Sequence, residues 1–196
     1  MPLPIRPEAA RIIEDYLRAK DAQIPQLYRR VFTEDALFVP SYAMPSPFGD
    51  DTPRCGIADI TTAFRAMGQQ CENILTVVPV ESIREDAYTI TSQWVVAMTR
   101  RDGGDAFVGW GTYRWTLGPA GTRARKLAVR FEGLCAPKNV AETFEAMLEL
   151  SHPWCTQDAL LDFAQRAHLD ALQDWLRITD ATAQQGAIRS TTRVPR

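Results

Sequence analysis

Histidine is almost missing from this chain: of 196 residues only His152 and His168 carry an imidazole, with no cysteine or carboxylate clustered around either at ligand spacing. A zinc site is therefore not expected, and no other metal or cofactor is called for. Cysteine is scarce and scattered: Cys55, Cys71, Cys135 and Cys155 include no Cys-x-x-Cys pair, which predicts reduced thiols in a reducing compartment. No serine sits in a Gly-x-Ser-x-Gly elbow, and neither a Gly-x-Gly-x-x-Gly nor a Gly-x-x-x-x-Gly-Lys loop occurs, which argues against the common hydrolases and nucleotide enzymes. Charge of one sign is lacking too. The 22 basic and 24 acidic residues nearly cancel, so nothing favours nucleic acid or an anionic membrane as partner. No apolar run is long enough to span a bilayer, and Met1–Pro7 lacks the apolar core of a signal peptide. The expectation is a cytoplasmic protein.

What is present is ordinary globular material, 45% hydrophobic and 23% charged, enough for one sizeable core. Pro7-Glu8 suits a first helical turn, and Ala9, Ile12, Ile13, Tyr16 and Leu17 mark one face of a helix running to about Lys20. A short helix follows Pro25, with Leu27, Tyr28, Val31 and Phe32 inward. Asp35–Pro40 reads as a short strand ended by its proline. Pro40, Pro45, Pro47 and Pro53, with Gly49-Asp50-Asp51, predict a loop over 41–54. Gly56 opens a third helix through Ile57, Ile60, Phe64 and Met67, with Gly68 as its stop.

The period then changes. Ile74–Ile83 is β-branched and apolar, with a bulge or edge at Pro79; Tyr88–Arg100, Ala106–Leu117 and Lys126–Leu134 are further strands, joined by hairpin turns at 101–105 and 118–121. Four antiparallel strands in a block after helices argue α+β. Beyond Cys135, Asn139 and Glu142 resemble a capping box before an apolar stripe at Val140, Phe144, Met147 and Leu148. After a break at 151–155, Thr156 caps one further helix through Leu160, Leu161, Ala164, Ala167, Ala171, Leu172 and Trp175. The acids Glu142, Glu145, Glu149, Asp158, Asp162, Asp170 and Asp174 form solvated outer faces, and residues from about Ala181 form a loose polar tail. Three parts result: 1–138, a helical extension 139–180, and the tail 181–196.

This order of elements, with Leu27–Pro40, the Arg54-Cys55-Gly56-Ile57 helix start and the Arg125–Glu132 strand, resembles the nuclear-transport-factor-2-like superfamily and most closely its SnoaL-like polyketide-cyclase branch, over about residues 7 to 136. The resemblance implies a cone in which a strongly bent antiparallel sheet wraps the N-terminal helices around an open-ended pocket, with the C-terminal helices added. It implies a small cofactor-independent enzyme of the cyclase, isomerase or dehydratase class acting on an apolar carbonyl compound. The alternatives are a non-catalytic homodimeric ligand-binding or scaffold protein, dimerising through the outer sheet face, and behind these a dioxygenase small subunit. Two departures stand out: Val39 takes the place of the carboxylate base that ketosteroid-isomerase relatives carry before the strand-ending proline, and the sheet has no histidine such as the dehydratase relatives use.

Candidate site residues follow from polar groups on apolar elements. Tyr16 could donate to a ligand carbonyl, or pack in the core. Arg130 and Glu132 share one face of their strand while Leu127, Val129 and Phe131 take the other; Glu132 could be a base tuned by Arg130, in a spacing parallel to the Arg-x-Asp pair of epoxide-hydrolase relatives, or the two could form a solvated or dimer-facing ion pair. Arg114, between Tyr113 and Trp115, could join them or stack at the surface. Trp94 and Trp110 are expected to line the cone or an interface. Tyr42 and Met44 open a loop placed like a lid, and His152 reaches the pocket only if the C-terminal helices fold back.

Overall fold

The computed structural model describes residues 3–45, 51–102 and 105–179. The expected loop at Pro47 to Asp50, the turn at Gly103-Gly104 and the tail from Ala181 lie outside the described residues.

Two helices line the inside of the cone. α1 (Pro7–Asp21) starts with proline and Glu8 in its first turn and buries Ala9, Ile12, Ile13, Tyr16, Leu17 and also Lys20. A 3-10 turn at Pro25–Leu27 leads through α2 (Tyr28–Val31) into β1 (Phe32–Tyr42). After β2 (Arg54–Cys55) comes α3 (Gly56–Gln70), with Ile57, Ile60, Phe64 and Gly68 buried. Pro40 does not end β1, contrary to the sequence expectation. β2 pairs with β1 only at Leu37 and Phe38, which leaves the next stretch of β1 with one open edge where a missing N–H costs nothing.

The sheet is built from β3 (Cys71–Pro79), β4 (Arg84–Glu85), β5 (Thr89–Arg100), β6 (Ala106–Leu117), β7 (Ala124–Cys135) and β8 (Trp154–Cys155) together with the first two strands. Its order is β2-β1-β7-β6-β5-β3-β8, with β4 on β5. It is strongly curved and unclosed, and the fold is an α+β cone. The expected antiparallel meander holds for β3, β5, β6 and β7, but β1 joins β7 in parallel and β8 joins β3 in parallel, so the whole sheet is mixed. Register shifts at Phe32/Leu37, Glu72/Leu75, Trp110/Gly111 and Thr116/Leu117 each add a local bend. β3 stops at Pro79 and gives way to a 3-10 turn at Val80–Ser82, where the sequence suggested a strand continuing to Ile83.

Alternation along these strands sorts side chains onto two cores. Ile90, Trp94, Val96, Met98, Tyr113, Trp115, Leu127 and Val129 face inward onto α1 and α3. Val77, Val95, Ala97, Val108 and Trp110 face outward, and the chain's own C-terminal helices cover them. These are α4 (Val140–Leu148), α5 (Gln157–Arg166) and α6 (170–179). Asn139 Oδ1 caps α4 by accepting from Glu142 N at 3.3 Å, and Thr156 Oγ1 caps α5 by accepting from Ala159 N at 3.1 Å. The single helix expected after Thr156 is two. His168 adopts φ 54°, and Leu169 N donates to Ala164 O while His168 N donates to Gln165 O, a Schellman stop with histidine where glycine usually sits.

Candidate functional site

Inside the cone lies a cavity of about 310 Å³, lined by α1, α3 and the inner faces of β1, β3, β5, β6 and β7. Its wall is a connected run of rings. Tyr16 meets Trp115 edge-on at 5.0 Å and Tyr113 at 5.7 Å; Tyr113 stacks on Trp94 at 5.5 Å; Trp94 meets Phe131 at 4.8 Å; Phe131 stacks on Tyr42 at 4.8 Å. Such pairs add rigidity beyond the area they bury. The run leads from the fully buried interior at Trp115 to half-buried Tyr42, where exposed Thr52, Ala66 and Gln70 and half-buried Arg54 border the opening.

Three proton donors stand in the deep part. Burial pushes the Tyr16 and Tyr113 phenols, whose rings meet edge-on, well above their ordinary range, so they stay protonated. Lys20, only 6% exposed, is the third. Its ammonium pairs with Asp21 and donates to Thr76 Oγ1 at 2.7 Å. Thr76 in turn donates its N–H to Asp21 Oδ2 at 2.9 Å and its hydroxyl to Asp21 Oδ1 at 3.0 Å. An ammonium has three N–H groups, and two are used here, which leaves one for the cavity that Lys20 lines. No aspartate, glutamate or histidine lines the cavity among the described residues. Nor do three His, Cys, Asp or Glu side chains among them group as ligands for a metal.

The structure brings Tyr16, Trp94 and Tyr42 together in this cavity. It places the other sequence candidates elsewhere. Arg130 and Glu132 lie on the outer face, because Val129 and Phe131 take the inner one; Arg130 Nε donates to Glu132 Oε1 at 2.6 Å, with the arginine side chain 54% exposed. Arg114 is exposed on that same face, beside inward Tyr113 and Trp115. The proposed base and its partners are therefore separated from the cavity by the sheet. Trp110 is buried under the C-terminal helices, in the outer core. Met44 is half-buried beyond the end of β1 and outside the lining, and exposed His152 engages Leu150 O through Nδ1 at 2.8 Å instead of reaching the cavity. Sequence reasoning missed Lys20, Tyr113 and Arg54. Lys20 had a signal: it falls three and four residues after Leu17 and Tyr16, on the stripe that is otherwise apolar.

The profile of the SnoaL-like domain matches residues 2–121. The chain belongs to the SnoaL-like family. Among solved structures, this SnoaL-like chain is similar to a nuclear-transport-factor-2-like protein of unknown function from Burkholderia pseudomallei, at 12% identity and TM-score 0.54, over 71% of this chain and 97% of that one. It is similar to a protein named for the SnoaL-like polyketide cyclases from Shewanella denitrificans, at 12% identity and TM-score 0.54, over 65% and 92%. A third is a Mycobacterium tuberculosis protein in complex with estradiol-17β-hemisuccinate, at 13% identity and TM-score 0.52, over 63% and 93%. At such identities the likeness is one of fold. No curated protein sequence matches the chain. Among the described residues, no helix is long and apolar enough to cross a membrane.

Proposed function

We propose that this SnoaL-like protein receives a small apolar molecule bearing a carbonyl oxygen and polarises that oxygen with Tyr16, Tyr113 and the remaining N–H of Lys20. The observation that carries this reading is the cavity's composition: an aromatic wall, with buried donors at its deep end and no lining carboxylate or imidazole. Preorganised donors in a water-poor site stabilise negative charge as it develops on oxygen. The protein is then a cofactor-independent enzyme whose main contributions are positioning and carbonyl polarisation, suited to ring closure or elimination in a molecule held folded against the rings. Neither Glu132 nor Arg130 takes part. A non-catalytic ligand carrier is the second reading, and the absence of a lining base among the described residues favours it. The protein is placed in the cytoplasm in both readings. A homodimer would use the polar remainder of the outer face around Arg114, Arg130 and Glu132.

The test is calorimetric binding of 2-acetylnaphthalene against 2-ethylnaphthalene, which has a similar shape and no carbonyl. The ketone is expected to bind several-fold more tightly, and Tyr16→Phe and Lys20→Met each to reduce that preference. Equal binding of the two compounds to the unmodified protein would overturn the reading. Deuterium exchange of the ketone's α-methyl protons, followed by NMR, separates enzyme from carrier: exchange faster than in buffer identifies an enzyme.

A further inference from the structure

We infer that Lys20 is a covalent site, where Nζ condenses with the carbonyl carbon of a bound aldehyde or ketone to form an iminium (a Schiff base). This deepens the proposed function and rests on it, because the carbonyl held by the donors is the one the amine attacks. The chain has three lysines, Lys20, Lys126 and Lys138. Lys126 and Lys138 are exposed, whereas Lys20 is buried and lines the cavity. No cysteine, serine, histidine, aspartate or glutamate lines it among the described residues, so an amine is the strongest nucleophile a ligand meets there. A lysine amine removed from water in an apolar pocket is suited to carbonyl condensation.

Tyr16 precedes Lys20 by four residues on the same buried face of α1, so a hydroxyl for the carbonyl oxygen and an amine for its carbon stand one turn apart. Asp21 pairs with Lys20 but does not depend on it for its place. Thr76 donates its N–H and its hydroxyl to the two Asp21 oxygens at 2.9 and 3.0 Å, so the carboxylate stays when Lys20 turns to a ligand. Asp21 takes one proton from the ammonium, which frees the lone pair. Nζ then bonds to the carbonyl carbon as the C–O π pair moves to oxygen. Of the three ammonium hydrogens one stays on nitrogen and two leave with that oxygen as water, Asp21 returning the proton it held. The cation before and after the step carries the same charge, Asp21 balances both, and no oxidant, reductant or cofactor is consumed. An iminium draws electrons from the neighbouring carbon more strongly than a hydrogen-bonded carbonyl does, which suits ring closure or elimination where no carboxylate or imidazole lines the wall.

The experiment treats the full chain at neutral pH with 2-naphthaldehyde and sodium cyanoborohydride, which reduces an iminium to a stable secondary amine. Intact mass is expected to rise by one probe less its oxygen, and peptide mapping to place the label on Lys20, about tenfold or more faster than on Lys126 or Lys138. Excess 2-acetylnaphthalene is expected to slow labelling of Lys20 and leave the two exposed lysines unaffected. Lys20→Arg keeps a cation and its donors but has no condensing amine. It is expected to lose the fast label while still preferring 2-acetylnaphthalene to 2-ethylnaphthalene, with a thermal melt confirming that it folds. An unmodified protein that labels Lys20 no faster than Lys126 and Lys138 overturns the inference without recourse to any variant. A fast label that survives Lys20→Arg also overturns it, because the carbonyl then meets another amine. The two failures are read separately: equal calorimetric binding of the ketone and the hydrocarbon removes the proposed function, whereas ketone preference without a Lys20 label removes the covalent step alone.

Discussion

Lys20 is accommodated in a cavity wall because the next residue and a buried strand hydroxyl accept hydrogen bonds from its Nζ. Asp21 and Thr76 form a closed set with it, joining the end of α1 to the middle of β3. Removing the countercharge leaves an ammonium with one partner in a poorly hydrated place. Asp21→Asn is therefore expected to destabilise the protein by about 3 kcal/mol in urea unfolding; an unchanged midpoint would show that solvent already screens the pair. The cysteines divide by exposure. Cys55 is exposed, whereas burial raises Cys71 and Cys135 and pushes Cys155 up to about 12. With Ellman's reagent at pH 8, Cys55 is expected to react at once, half-buried Cys135 more slowly, and Cys71 and Cys155 only as the chain unfolds. The same burial gives the pH dependence of stability. The folded state holds Tyr16, Tyr28, Tyr113 and three thiols protonated beyond their ordinary values of 10.0 and 9.0. Their contribution is complete below about pH 9, and above it the unfolded chain releases protons that the folded chain retains, so the urea midpoint should fall steadily from pH 9 to 11. A midpoint that rises over that range would contradict the assignment.

The bend that opens the cavity is made where β6 crosses β7. Gly111 and Gly133 stand either side of the register shift there, and each is a place where backbone or ring has come too close for a side chain. A Cβ on Gly111 would lie 1.9 Å from Arg130 O, and one on Gly133 would lie 2.0 Å from Trp110 Cζ2. Gly111→Ala is expected to cost about 2 kcal/mol or more, because the obstacle is backbone and cannot rotate away. Trp110→Ala should cost about 3–5 kcal/mol by emptying the contact between sheet and C-terminal helices, without altering ligand binding in the cavity on the other face. Those helices are held by named polar links as well as by apolar contact. Trp154 Nε1 donates to Glu14 Oε1 at 2.8 Å, and Gln157 N donates to Glu81 Oε2 at 2.9 Å. The break between α5 and α6 escaped sequence reading because its left-handed residue is His168, and only glycine or asparagine there announces such a stop.

One curved sheet with a core on each face is the plan of the whole molecule. Chain ended at residue 138 would leave Val77, Val95, Ala97, Val108 and Trp110 uncovered. Such a contiguous apolar face drives association; the truncated chain is expected to sediment as dimers or larger species, and a well-behaved monomer would show that the helices are dispensable cover. Periodicity alone was enough for most elements: the stripe from Ala9 to Leu17, the helix from Gly56, and the strands ending at Arg100 and Leu117 are local patterns of apolar spacing, and local patterns survive folding unchanged. Alternation even separated Arg130 and Glu132 from Val129 and Phe131. What it could not say is which set faces the cavity, since a two-fold alternation is symmetric until something covers one side. The tertiary structure decided that. The inner face belongs to α1 and α3, so Phe131 and Trp94 meet the cavity and the Arg130–Glu132 pair meets solvent. Likewise Lys20, Tyr113 and Arg54, nearly a hundred residues apart at the extremes, become one site only because a bent sheet folds β6 and the β2 edge around the same helix.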